Sequence, residues 1–343
     1  MLNPSVSSIS AVDLEQDLAG RLYPHPHYWQ TQVRINFLLN AYLSDEILTD
    51  RLNDLPIQFK RPKPRPWQSI DWQAIDRKQL IGVDLDIFLA IVAGSLETET
   101  PIRGYTQVSR QYLEPLHRPM ARFVGGIVAE DGSMQELGLW EKEERQHTPA
   151  LAKIYAQLAG KKWNAQSLNV KNYDPSGDPY TDLYRHGLHR VATEYSAVCL
   201  YFWMMTHTTG PLQQVLAELA QDEVNHMTKF WGFGLWLFPE SLGVRIRRTL
   251  CQLLDPRRCL LKDARGFAHQ AGHLQSFQDL SQTLKRMMGV LSWEKWPLTH
   301  KLELMFTFGR VWHRLWAWSH SLTPEFLQQL LGRTSIEDQF PST

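Results

Sequence analysis

The chain is short of cysteine. Only Cys199, Cys251 and Cys259 occur in 343 residues. None sits in a C-x-x-C pair and the number is odd, which argues against a disulfide framework or a zinc ribbon and fits a reducing compartment. Net charge is lacking too: 36 lysines and arginines meet 36 aspartates and glutamates, a balance that gives no support to nucleic acid as a partner. The charge is unevenly spread, roughly −5 before residue 240 and roughly +5 after it. That basic part is either a solvated face or a receiving surface for something acidic. No stretch reaches the ~20 apolar residues of a membrane span; the nearest, Ala197 to Met205, runs into Thr-His-Thr-Thr-Gly. The first twenty residues show neither a basic start nor an apolar run, so no signal peptide is expected, and a cytoplasmic or stroma-like soluble compartment is. Strand alternation and internal repeats are also missing, leaving an all-α reading.

What is present is helical periodicity, broken by proline and glycine. Residues 1–20 read as a lead-in, and Pro24-His25-Pro26-His27 as a stiff turn, not a metal site. Tyr28 to Leu52 repeats apolar residues at helical spacing. Residues 59–67 (FKRPKPRPW) are basic and proline-rich, an extended segment that delivers Trp67 to a fixed place. A helical run from about Asp76 carries Phe88, Val92 and Glu99 up to a break at Pro101, and another piece runs from Tyr105 to about Leu113. Residues 124–133 read as loop. Residues 134–158 read as a strong helix bent by Pro149 and closed by Gly160. After an irregular connection at 159–180, Thr181 to about His207 and Pro211 to about Phe238 form a helical hairpin around Thr209-Gly210. Residues 240–333 read as more helices, broken at Asp255-Pro256 and near Pro297. Three divisions follow: an N-terminal helix and arm over 1–75, a bundle over 76–240, and a C-terminal helical extension over 241–343. Among thirteen tryptophans, Trp293, Trp296, Trp312, Trp316 and Trp318 crowd the C-terminal quarter, either as core filling or as an interfacial or partner-binding helix pair.

Two Glu-x-x-His motifs lie in strong helices, Glu144-Arg145-Gln146-His147 and Glu223-Val224-Asn225-His226. At spacing i, i+3 carboxylate and imidazole leave one face of a helix a turn apart. A third match, Glu114-Pro115-Leu116-His117, is spoiled by Pro115. A carboxylate-bridged pair of metals needs one more glutamate from each of two other helices, and Glu99 and Glu194 precede the two motifs. Glu194 and Glu223 are nearly equidistant from the hairpin turn and so face each other. Glu99 and Glu144 are separated by a larger excursion. The twenty-odd residues of 159–180 can reach ~65 Å extended, more than the ~38 Å of a twenty-five-residue helix, as a long crossover requires. Ionised glutamates on apolar faces are costly unless compensated. Two divalent cations would compensate them; chance salt bridges or surface charges are the competing account. A donor set of carboxylate and imidazole without thiolate suits iron, with manganese next, better than zinc.

With these motifs in hand the chain resembles the soluble acyl-carrier-protein desaturases within the ferritin-like di-iron carboxylate proteins. Gly94–Tyr105 (GSLETETPIRGY), Trp140–His147 (WEKEERQH), Ala192–Ala197 (ATEYSA) and Asp222–His226 (DEVNH) are similar to that family's four ligand segments. The resemblance covers about residues 60–240. It implies a ferritin-like four-helix core with additional N- and C-terminal helices. It also implies two iron ions: Glu99 and His147 on one, Glu194 and His226 on the other, Glu144 and Glu223 bridging. Asp222 matches an aspartate that links a ligand histidine to a surface tryptophan as an electron route, Trp67 resembles that tryptophan, and Trp140 stands four residues before a ligand glutamate. The family carries a threonine three residues after the third-helix glutamate; here that position is Ala197, beside Ser196.

The expectation is an oxygen-dependent di-iron oxidoreductase acting on an apolar, fatty-acyl-type substrate. Electrons would come from an external donor such as ferredoxin, and an acyl carrier protein could present the substrate against Arg245, Arg247 and Arg248. A homodimer is compatible with this. Val191, Val198, Tyr201, Leu219 and Phe230 are the candidate lining of an acyl slot, or ordinary core. The alternatives are an iron-handling or peroxide-scavenging bundle and a non-catalytic scaffold that keeps a metal site.

Overall fold

A computed structural model describes residues 28–115, 117–164, 179–237, 289 and 291–332. The lead-in, the Pro24–His27 turn, most of the 159–180 connection, the Asp255-Pro256 break, Cys251, Cys259 and the Arg245, Arg247 and Arg248 run lie outside the described residues. Eleven α-helices occur among the described residues: α1 Tyr28–Tyr42, α2 Asp45–Asn53, α3 Leu55–Lys60, α4 Leu85–Glu99, α5 Ile102–Leu113, α6 Arg118–Gly125, α7 Leu139–Ala159, α8 Pro179–Thr206, α9 Gly210–Leu237, α10 Leu298–Ser319 and α11 Pro324–Leu331. The architecture is a helical bundle, and none of these helices is long and apolar enough to cross a membrane.

The hairpin of α8 and α9 has the most extensive contact, and α4 packs along α7. α9 also touches α7, which joins the two pairs, while α5 packs on α6, α7 and α8. α9 shows how this interior is made. It is buried along almost its whole length, Leu212, Leu216, Leu219 and Phe230 on one side and Val215, Val224 and Trp231 on others. A helix apolar all round has neighbours on every side, and here they are α2, α7, α8 and α11. The outer helices α1 and α10 close over α8.

Local chemistry explains where the elements differ from the sequence reading. The single helix expected over Tyr28–Leu52 is two, because Ser44 is extended and its side chain accepts the Ile47 N–H at 3.3 Å as an N-cap. The run expected from Asp76 starts instead at Leu85. Asp76 caps only the one-turn 3-10 helix Arg77–Gln79 through a capping box, and Gly82 then turns the chain with φ 65°. Phe59 and Lys60, expected extended, end α3. Residues 134–136, expected to open a helix, form a strand instead. β2 (Met134–Glu136) pairs antiparallel with β1 (Ile127–Val128) in a small hairpin, so the chain is predominantly rather than wholly helical. Gly126 enters this hairpin at φ 80°, where an added Cβ would meet the Glu136 carbonyl oxygen at 1.8 Å. Gly160 closes α7 in the left-handed conformation, as expected. Of the C-terminal tryptophans, Trp296 and Trp318 are buried, whereas Trp316 joins Leu298, Leu302 and Met305 in an exposed apolar stripe on α10.

Candidate metal centre

Glu99, Glu144, His147, Glu194, Glu223 and His226, carried by α4, α7, α8 and α9, converge in the bundle interior, and all six are buried. Glu99, Glu144, His147 and Glu223 each offer a ligand atom within 4.8 Å of the others, and so do Glu144, Glu194, Glu223 and His226. The two groups share Glu144 and Glu223. Each shared carboxylate is divided between the imidazoles. Glu144 turns Oε2 to His147 Nδ1 at 3.3 Å and Oε1 to His226 Nδ1 at 3.0 Å. Glu223 turns Oε1 to His147 Nδ1 at 3.2 Å and Oε2 to His226 Nδ1 at 3.9 Å. Glu99 reaches only the first imidazole, at 3.8 Å, and Glu194 only the second, at 3.5 Å.

The outer nitrogens of the imidazoles are held by a crossed pair of acids. His147, on α7, points Nε2 at Asp222 Oδ2 of α9 at 3.4 Å. His226, on α9, points Nε2 at Glu143 Oε2 of α7 at 2.9 Å. A carboxylate against Nε2 fixes the proton there and leaves Nδ1 as a lone pair. Both Nδ1 atoms are buried without a directed hydrogen bond, although carboxylate oxygens surround them. Two inward lone pairs facing four carboxylates form a donor set that fits divalent cations and lacks positive charge of its own.

The electrostatics say the same. Burial, then the charge on Glu144, pushes the carboxyls of Glu99 and Glu223 up to about 8. Burial works against charge on Glu144 as well, but the His147 and His226 imidazoles outweigh it and hold this acid well below its ordinary value. Burial opposes charge on the imidazoles. The Glu144 charge and the Asp222 bond overcome it at His147, and the Glu143 and Glu144 bonds overcome it at His226, so both are held well above their ordinary value. Protons held by these groups offset the buried carboxylate charge, a part that divalent cations could also play.

The outer contacts are dense. Trp140 Nε1 donates to Glu144 Oε1 at 2.8 Å, and the Tyr201 hydroxyl donates to Glu99 Oε1 at 3.3 Å. Trp67 is half-buried and donates Nε1 to Asp222 Oδ2 at 2.7 Å, its ring 6.2 Å from that of His147. Arg65 spans both halves. Its backbone N–H donates to Glu143 Oε1 at 2.8 Å and its side-chain Nε to Asp222 Oδ1 at 2.9 Å. Burial opposes charge on Asp222, but the His147 bond and the Arg65 charge keep it below its ordinary value. His117 of the third Glu-x-x-His match takes no part. Its Nδ1 caps α6 by accepting the Met120 N–H at 3.0 Å.

Sequence reasoning missed Glu143 and Arg65, and read Tyr201 as apolar lining rather than as a donor to Glu99. Glu143 had a visible signal: Glu143-Glu144-x-x-His147 and Asp222-Glu223-x-x-His226 are the same acid-Glu-x-x-His pattern. An apolar cavity begins about one helical turn from Glu194 and His226 and is lined by Val191, Phe230, Leu113, Met120 and Trp231, with Arg190 at its wall. Of the five positions expected to line an acyl slot, Val191 and Phe230 line this cavity, whereas Val198, Tyr201 and Leu219 are absent from its lining and belong to the buried core. No protein-family model, curated protein or solved structure matches the chain.

Proposed function

We propose that this chain is a ferritin-like di-iron protein and an oxygen-dependent oxidoreductase acting on an apolar, acyl-type substrate. The observation that carries the reading is the division of Glu144 and Glu223 between His147 and His226, with Glu99 confined to one side and Glu194 to the other. That pattern supports two metal positions, Glu99 and His147 holding one, Glu194 and His226 the other, and Glu144 and Glu223 bridging. Bound there, two irons would supply oxygen activation and electron storage. The chain's own residues do the rest. Asp222 and Glu143 keep the Nε2 protons in place and Nδ1 turned inward. Trp140 and Tyr201 orient Glu144 and Glu99 by donating to one oxygen of each. The apolar wall of Val191, Phe230 and Leu113 excludes water and suits a hydrocarbon chain. Trp67, bonded to Asp222 and half-buried, supports entry of electrons from an external donor such as ferredoxin. Desaturation is favoured over hydroxylation by the motif resemblance alone.

The test is ferrous protein with oxygen, an electron donor, and free, thioester and carrier-bound acyl chains, read by mass spectrometry and oxygen uptake. Substrate loss of two hydrogens supports desaturation, and gain of an oxygen atom supports hydroxylation. Oxygen use independent of every chain favours iron handling. Absence of iron binding removes the reading altogether.

A further inference from the structure

A second buried cluster stands at the other end of α8, about 20 Å along the helix from Glu194. It joins His207, just past the last turn of α8, to His300 and Glu303 of α10. These three offer ligand atoms within 4.8 Å of one another. His207 Nε2 and His300 Nδ1 each lie 3.0 Å from Glu303 Oε2. The cluster shares no residue with the centre described above.

The protonation of His207 is determined by its backbone neighbour. Its Nδ1 lies 2.8 Å from the Ile81 carbonyl oxygen, which can only accept, so Nδ1 carries the proton. Residue 81 is itself pinned, because its N–H donates to the His207 carbonyl at 2.8 Å. In a neutral ring Nε2 is then a lone pair facing a carboxylate oxygen. Something positive must lie between them, either a second proton or a cation. The surroundings favour a cation. A second imidazole converges on the same oxygen, and an imidazole N–H bonded to a backbone carbonyl is the usual outer support of a metal-bound histidine. Zinc bonds of about 2.0–2.1 Å place tetrahedral ligand atoms about 3.3 Å apart, so ligand separations of 3.0 Å need only a slight opening. Trp203 donates Nε1 to Glu303 Oε2 at 3.2 Å and stacks on Trp296 at 4.8 Å, which gives the site an oriented carboxylate and a dry wall. The His300 side chain is 11% exposed and provides a way in.

We propose that His207, His300 and Glu303 form a mononuclear zinc site, with water completing a tetrahedron, that ties α10 to the α8–α9 turn and the Ile81 segment. Two imidazoles and one carboxylate suit zinc, in contrast to the carboxylate-rich first cluster. The proposal stands whether or not that cluster binds iron.

The experiment uses the full chain, loaded anaerobically with ferrous iron, exposed to zinc and desalted. Zinc and iron are then counted by plasma mass spectrometry in the wild type, His300→Ala and Glu303→Gln. About one zinc per chain in the wild type, lost in both variants with iron content unchanged, is the expected result. Equal zinc in wild type and variants, or none retained by the wild type, overturns the proposal and leaves a protonated imidazole between Glu303 and the carbonyl. A measurement on the wild type covers the case in which a variant fails to fold. Zinc K-edge absorption should show four light ligands including two imidazoles, and a six-coordinate, oxygen-rich shell would place the zinc in the other cluster and overturn it.

Discussion

The two halves of the carboxylate cluster are built on the same plan and finished differently. In each, a helix supplies an acid, a glutamate and a histidine in one pattern, and the acid grips the histidine of the opposite helix. The half around His226 is tight: Glu143 holds Nε2 at 2.9 Å and receives the Arg65 backbone N–H and Asn225 Nδ2 as well. The half around His147 is looser and faces outward: Asp222 holds Nε2 at 3.4 Å, while its oxygens take Arg65 Nε at 2.9 Å and Trp67 Nε1 at 2.7 Å. One half is fastened inside the bundle and the other is tied to a half-buried indole. Asp222 thus joins its imidazole to the half-buried rim, whereas Glu143 joins its own to the interior.

The bridging glutamates belong to neither half, and their removal should have the largest effect. Glu144→Ala and Glu223→Ala should each lose most of about two bound metals, by metal analysis of protein made with ferrous iron. Full retention in Glu223→Ala would show two separate mononuclear sites and break the shared-carboxylate reading.

The outer acids sharpen the comparison directly. Losing a carboxylate behind a metal-bound imidazole typically costs about 10–100-fold in affinity. Glu143→Gln should therefore weaken the position of Glu194 and His226, and Asp222→Asn that of Glu99 and His147, each leaving the other position near wild type. Stepwise metal titration resolves the two. The Glu143 variant should show the larger loss because its contact is shorter. Equal weakening of both positions by either variant would mean that the halves act as one unit.

These outer acids also mark how far the sequence could be read. Five of the six inner residues were legible because i, i+3 spacing and the α8–α9 turn constrain them before any tertiary structure is known; Glu99, across a larger excursion, was legible only as a glutamate preceding the first motif and through the motif resemblance. Asp222 was legible as well. Glu143 was not read, although it occupies the equivalent place, since its role depends on α7 lying against α9. Arg65 was hidden for a related reason: the extended chain after α3 has no periodicity to say which side it covers. The β1–β2 hairpin is too short to display alternation, and MQELGLWE carries helix-forming residues, so tertiary pairing overrode local preference there. His207 and Glu303 are 96 residues apart, and nothing local joins them.

Acid–base behaviour offers a smaller effect, expected only without metal. Glu99 and Glu223 rise from 4.5 to about 8 in the folded chain, chiefly by burial and by Glu144. Their folded state holds more protons than the unfolded one between these values. The stability they contribute is full in acid and is lost as pH rises towards about 8. Metal-free protein should show a melting midpoint that falls by several degrees across that window, through these two groups. Metal-loaded protein should not, because cations replace the protons and bind more tightly as pH rises. A metal-free Glu223→Gln variant should flatten part of the slope. An unchanged slope would mean that the charge is relieved elsewhere, with Glu144 and the imidazoles the first groups to examine.

The smallest expected change in metal content, and the one that most isolates the outward half, is Trp67→Phe. The substitution keeps an aromatic ring against His147 and removes only the N–H that Asp222 accepts. Asp222 retains Arg65 and His147, so the loss should cost no more than about 1.5–3 kcal/mol of stability, the scale of one hydrogen bond to a charged group. Metal stoichiometry should stay at the wild-type value, and affinity should move less than in Asp222→Asn. Reduction of the oxidised metals by an external one-electron donor should slow several-fold, because the indole and its bond to Asp222 form the short covalent and hydrogen-bonded path from the half-buried rim to His147. Stopped-flow absorbance reads that rate, with Trp140→Phe as the control. Trp140 also donates to a ligand carboxylate, but it is fully buried and offers a donor no access. If Trp67→Phe and Trp140→Phe slow reduction equally, the indole of residue 67 only orients Asp222, and the contrast between the halves is one of rigidity alone. If only Trp67→Phe slows it, the outward half carries the electrons.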